Sequence, residues 1–361
     1  VTSAPLSDSF QPTLDGFDVR PFGHAAGQDV SLYSFANAHG LRISVTNYGA
    51  TVTSLSVPDR RGVLADVVAG HDDVSGYVKT RNFFGATVGR VANRIRGASF
   101  ALDGTRYDVA ANEGQDQLHG GPDAFDRRVW RATPGRVTGG RALRLELTSP
   151  DGDQGFPGTV VASVVHALLD DDTFLVEMTA VSDRPTPLNM AHHGYWNLGG
   201  HTSGPVVDHE LAIGAHAYTP GNPQIPDGRI LPVAGTPFDF VAPKPIGRDI
   251  ERVGTPAGYD HNFVVDGEPT SMRFVARLHE PRSGRVMTLS ANQPGVQFYS
   301  GIYLDGSPGK GGVTYRRYGA LCLETQTFPN AVNVPAWAPT VILRPGQTYR
   351  HVMRHAFTIA A

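Results

Sequence analysis

Cysteine is almost missing from this chain: its 361 residues hold only Cys322. No intramolecular disulfide can form, and no cysteine-based zinc cluster can be built. Lysine is nearly as scarce, with Lys79, Lys244 and Lys310 alone, while arginine brings the formal net charge to −3. No strong field of one sign draws nucleic acid or an acidic membrane surface. No apolar run approaches the roughly 18 residues of a membrane helix, and no signal-peptide h-region follows Val1. The expectation is a soluble chain, cytoplasmic in preference to periplasmic or secreted, monomeric or homodimeric, with no nucleic-acid or membrane partner.

Catalytic signatures are missing as well. No glycine-rich dinucleotide fingerprint follows a strand, and there is no His-Glu-x-x-His or Gly-x-Ser-x-Gly. Gly306-Ser-Pro-Gly-Lys-Gly-Gly lacks the glycine spacing of a phosphate loop and the hydroxyl residue after Lys310, so it reads as a surface loop. Fourteen histidines are present, but the consecutive pair His192 and His193 would face opposite sides of a strand. No metal and no cofactor are expected.

What the sequence has in quantity is punctuation: 42 glycines and 27 prolines, spread from end to end. That pattern fits many short strands joined by turns. Alternation marks strands at 41–46, 141–147, 173–181 and 349–359. The segments 271–278 and 285–290 flank Glu280-Pro-Arg-Ser-Gly, a hairpin signal. Helical signals are confined to short stretches at 73–80 and 247–253. The fold class is therefore all-β: residues 1–22 form a loosely packed N-terminal segment and 23–361 one large domain, with 40% hydrophobic residues to fill its core.

Four segments set ionisable or amide groups inside apolar or glycine-rich runs: Gly89-Arg-Val-Ala-Asn-Arg-Ile with Leu118-His-Gly-Gly, Asn189-Met-Ala-His-His-Gly-Tyr-Trp-Asn-Leu, Gly258-Tyr-Asp-His-Asn-Phe, and Leu321-Cys-Leu-Glu-Thr-Gln. Buried polar groups of this kind are costly unless paired. Singly, each has a structural explanation. Glu324 would pair with a core arginine, His193 would bond to backbone, Asp260 would cap a turn, Arg94 would join an ion pair, and His119 would sit in a loop.

Taken together and in order, these segments resemble the aldose 1-epimerase, or galactose mutarotase, family. The resemblance also draws on Asn47-Tyr-Gly-Ala, Val57-Pro-Asp-Arg, Ser149-Pro-Asp-Gly, Gly155-Phe-Pro-Gly, Gly235-Thr-Pro-Phe-Asp and Gln293-Pro-Gly-Val-Gln-Phe-Tyr. It implies a single antiparallel β-supersandwich with a monosaccharide cleft on one sheet, and an isomerase that interconverts the α and β anomers of free hexoses such as galactose and glucose. By the same resemblance Glu324 is the catalytic base, His193 the acid and His119 a second histidine near the ring oxygen. Asn93, Arg94 and Asp260 contact sugar hydroxyls, and Gln297 lines the site. His192 and Gly194 depart from the usual residues beside His193. The alternatives are a hexose-6-phosphate 1-epimerase, a non-catalytic sugar-binding module and a two-carboxylate glycoside hydrolase.

The residue types suit the reaction. Ring opening needs a base on the C1 hydroxyl and an acid on the ring oxygen, with roles reversed on closure. Alternation puts His193, Tyr195 and Asn197 on one strand face, and Cys322, Glu324 and Gln326 on another. Tyr195, Trp196 or Phe298 would supply an aromatic surface for the sugar, each fitting a core position equally well.

Overall fold

The computed structural model describes residues 5–221 and 224–360. Strands dominate, and α-helix among the described residues is limited to Leu6–Ser9 and Val74–Lys79. The second helix sits where the sequence signals it: Asp73 accepts from the Ser75 and Gly76 amides and so satisfies its first free donors. The other helical signal resolves into two 3₁₀ turns, Ile246–Arg248 and Ile250–Arg252.

Three antiparallel sheets carry the fold. Ten strands form the largest, with Gly140–Ser149, Val160–Leu169, Thr173–Ser182 and Tyr349–Ile359 side by side at its centre. The Arg273–His279 and Arg285–Ala291 strands extend it as the expected hairpin. Their turn closes on the Glu280 carboxylate, which accepts from the Arg282 amide at 3.0 Å and the Ser283 amide at 2.6 Å. A five-stranded sheet spans Phe17 to Asp66. The strand Phe17–Ala25 crosses the boundary drawn at residue 22, and residues 1–4 of that N-terminal segment lie outside the described residues.

The third sheet has six strands in the order Tyr195–Trp196, Leu321–Gln326, Gly295–Tyr299, Asp260–Val264, Ala217–Thr219 and Leu231–Pro232. Strand alternation gives it two different faces. Trp196, Leu321, Leu323, Val296 and Phe298 join the main core, together with Phe174, Met178, Leu289 and Met353 of the large sheet. Trp196 and Phe298 are therefore core residues, 1% and 0% exposed, and only Tyr195 of the three suggested sugar-stacking aromatics faces the other way, into a cleft.

Candidate active site

The cleft face of the six-stranded sheet is ordered by strand register. Asp260 pairs with Tyr299, Tyr299 with Cys322, and Cys322 with Tyr195, giving one row across four strands. The next row is Asn262, Gln297 and Glu324. Continuing the Tyr195–Cys322 register by two residues brings His193 opposite Glu324. Residues in neighbouring rows share a face, so side chains far apart in sequence converge on one surface.

Two loops close the cleft from outside the sheet. The glycine-rich motifs at 89–95 and 118–121 meet there because Gly120 lies against the Gly89 carbonyl, in a left-handed conformation at φ +90°. A Cβ at Gly120 would fall 2.1 Å from that oxygen. Asn93 and His119 also adopt positive φ, 61° and 51°, and they are tied reciprocally. The Asn93 amide donates to His119 Nδ1 at 3.1 Å and the His119 amide to the Asn93 carbonyl at 2.9 Å. The two arginines of the first motif part company. Arg90 is a buried strut, donating to Ser149, Pro150 and Pro157, which accounts for the Ser149-Pro-Asp-Gly and Gly155-Phe-Pro-Gly motifs. Arg94 turns into the cleft.

All seven sequence-derived candidates, Asn93, Arg94, His119, His193, Asp260, Gln297 and Glu324, line a single cavity of about 200 Å³. That is below the range typical of drug-sized ligands and suits one small ring. His193 Nε2 lies 3.5 Å from Glu324 Oε1, while Glu324 Oε2 is buried and accepts no hydrogen bond from the described residues. Among the described residues no arginine pairs with Glu324, contrary to its structural explanation. The His193 ring is held between Phe83 at 5.7 Å and Tyr195 at 5.1 Å, both near-parallel. The Cys322 sulfur contacts its Nδ1 at 3.6 Å. Gln297 donates to Asp260 at 2.7 Å, and Gln326 stands behind it, donating to Gln297 and Asn262. Asp260 begins its strand and caps no turn. Asn197 lies past the end of the short Tyr195–Trp196 strand and ties the Gly204 and Gly319 carbonyls.

Burial governs the charges. It pushes the Glu324 carboxyl well above its usual range, with the nearby Asp260 charge adding to the rise and Arg94 opposing it. Burial also raises Asp260, against Arg94 and Gln297. It lowers His193 to about 3 and His119 well below its ordinary value. Burial thus works against charge on both members of the His193–Glu324 contact.

The ligand atoms of His119, His193 and Glu324 all lie within 4.8 Å of one another, a spacing that invites a metal. The donor set does not fit one. His119 Nδ1 already accepts the Asn93 amide, so the neutral ring carries its proton on Nε2 and offers no lone pair there. Only one imidazole and one carboxylate remain, too few for a protein metal site.

Sequence reasoning missed Glu113, Phe83 and Tyr303, which also line the cavity. Glu113 grips Arg94 through two bonds, 2.5 Å to Nε and 2.7 Å to Nη2. Its only sequence signal is one of two acids, with Asp116, in the run 111–117, and nothing local points it at an arginine 19 residues away.

Residues 31–356 match the family model for aldose 1-epimerase. A galactose mutarotase from Bos taurus is 42% identical over 89% of this chain and 92% of its own. An aldose 1-epimerase from Escherichia coli K12 is 33% identical over 92% and 96%. The crystal structure of a galactose 1-epimerase from Lactobacillus acidophilus superposes with a TM-score of 0.84 at 25% identity, covering 96% of this chain and 99% of that one.

Proposed function

The chain belongs to the aldose 1-epimerase family, and from that premise we propose that it interconverts the α and β anomers of free hexoses such as galactose and glucose in this cleft. Glu324 takes the proton of the C1 hydroxyl, and His193 delivers one to the ring oxygen as the bond from C1 to that oxygen breaks. The open aldehyde turns about C1–C2. On closure the ring oxygen returns its proton to His193, and Glu324 gives one back to the new C1 hydroxyl. His119 donates a hydrogen bond from Nε2 near the ring oxygen, and Asn93, Arg94, Asp260 and Gln297 bind the remaining hydroxyls.

The observation that carries this assignment is the 3.5 Å approach of His193 Nε2 to Glu324 Oε1 on the cleft face. The reaction needs one proton shared by the pair: carboxylate with imidazolium before ring opening, carboxylic acid with imidazole after it. Burial favours the second form, and the short separation lets a small movement exchange the two. Each group in such a pair contributes roughly 10²–10⁴-fold. Polarimetry on freshly dissolved α-galactose and α-glucose tests the proposal. Wild type should speed relaxation, and Glu324→Gln and His193→Asn should fall close to the uncatalysed rate. Folded wild type with no effect on any free aldose would end it.

A further inference from the structure

The cleft holds two guanidinium groups, Arg81 and Arg94, against three carboxylates, Glu113, Asp260 and Glu324. Arg81 is exposed and already donates to the Gly121 and Pro122 carbonyls. Arg94 is the buried cation, its side chain 11% exposed, and its Nε and Nη2 are both taken by Glu113. The edge of a guanidinium is the shape that phosphate binds through two parallel bonds.

Glu113 is presented on a fixed turn, not on a loose tip. Its backbone exchanges hydrogen bonds with Asp116 at 3.0 and 3.1 Å. Asp116 accepts from the Gly97 amide at 2.7 Å, and the adjacent Asn112 side chain both donates to and accepts from Leu118. The turn is thereby tied to the loop that carries His119. The catalytic chemistry described above makes no use of the Glu113 charge.

Resting on the mutarotase reading of this cleft, we propose that Glu113 is a specificity-determining residue: by occupying one edge of Arg94 it denies the buried guanidinium to anionic ligands and restricts the site to uncharged aldoses. A phosphorylated sugar entering the cleft meets the Glu113 carboxylate seated on Arg94 and, among the described lining residues, no unpaired buried cation, an arrangement that discriminates by repulsion as well as by fit. Arg94 keeps Nη1 for a neutral hydroxyl. The hexose-6-phosphate alternative requires the opposite arrangement, with arginine edges open to the phosphate.

The test compares wild type, Glu113→Gln and the double variant Glu113→Gln/Arg94→Gln. Binding of inorganic phosphate and of glucose 6-phosphate is followed by calorimetry, and their inhibition of glucose mutarotation by polarimetry. Removing the Glu113 charge and one of its two acceptor oxygens should tighten both anions roughly ten-fold or more in Glu113→Gln, and the double variant should lose that gain. Wild type binding the anions as tightly as Glu113→Gln, or Glu113→Gln binding them no better than wild type, would overturn the proposal. Calorimetry reads anion binding without turnover, so it stands apart from failure of the mutarotase reading, which shows as wild type inactive on free aldoses.

Discussion

His192 and His193 are consecutive, both almost fully buried, and both driven away from protonation by that burial, yet they face different worlds. His193 looks into the cleft beside Glu324. His192 looks between the sheets, where His166, Phe174, Trp196 and His355 present their rings around it at 5.7–6.3 Å. Among the described residues neither His192 nitrogen has a hydrogen-bond partner. Buried polarity alone therefore does not mark a functional residue; what distinguishes His193 is an opening large enough for a small ring. The same layer couples the two departures noted beside His193. A Cβ at Gly194 would come within 2.9 Å of His192 Nε2 and of the Trp196 ring, so the bulk of His192 and the absence of a side chain at 194 go together.

Substitutions on the two sides should separate cleanly. The largest effect belongs to the cleft: Glu324→Gln should lower kcat by about 10³-fold with no loss of melting temperature, because it removes a buried carboxylate whose Oε2 has no partner. A matching drop in thermal stability would make Glu324 a structural residue. The pH profile sharpens the same point. With one proton shared by the pair, kcat/KM should hold through mildly acidic pH and fall as pH rises through the elevated pKa of Glu324. A fall on acidification near 4–5 would instead indicate an ordinary carboxylate base.

The sealed side should show itself in stability. His166, His351 and His355 are depressed to about 4 by burial, and burial lowers His192 well below its ordinary value too. Their folded values lie below the unfolded value near 6.5, so the stability they contribute is complete above pH 6.5. It is lost as pH falls from there towards 4, by up to about 1.4 kcal/mol per pH unit for each titrating histidine. Denaturant melts between pH 7 and 4 would show this, and a flat profile would contradict it. The smallest effect is His192→Leu. Replacing an unsatisfied buried ring by an apolar side chain should stabilise by about 1 kcal/mol and soften the acid slope. Its kcat should stay within about threefold, and a large kinetic loss would erase the contrast between the two histidines.

Much of this was legible in the residues. The strands, the Glu280–Gly284 hairpin turn and the Asp73-capped helix follow from alternation and turn chemistry. The four polar segments hold six of the seven cleft candidates, and Gln297 came from the family resemblance through Gln293-Pro-Gly-Val-Gln-Phe-Tyr. Three things were not legible. Alternation says which residues share a face but not which face meets solvent, so Trp196 and Phe298 passed as sugar-stacking candidates when their parity places them in the core. It also assumes that the strand continues, and the Tyr195–Trp196 strand stops before Asn197. Glu113 reaches Arg94 only through tertiary folding of the 112–118 turn, and no local period carries that information.

The register of the Leu321–Gln326 strand has a consequence for quality control. A slip of one residue would turn Cys322, Glu324 and Gln326 inward among the sheets and push Leu321 and Leu323 into the cleft. Such a molecule would bury an ionisable carboxyl with no exit and expose two leucines, so it would not persist as a slightly poorer enzyme. Correct pairing and chemical competence are acquired in one event. The forces that reject a misfolded chain also reject an inactive one, and a population of native molecules should contain no half-assembled sites.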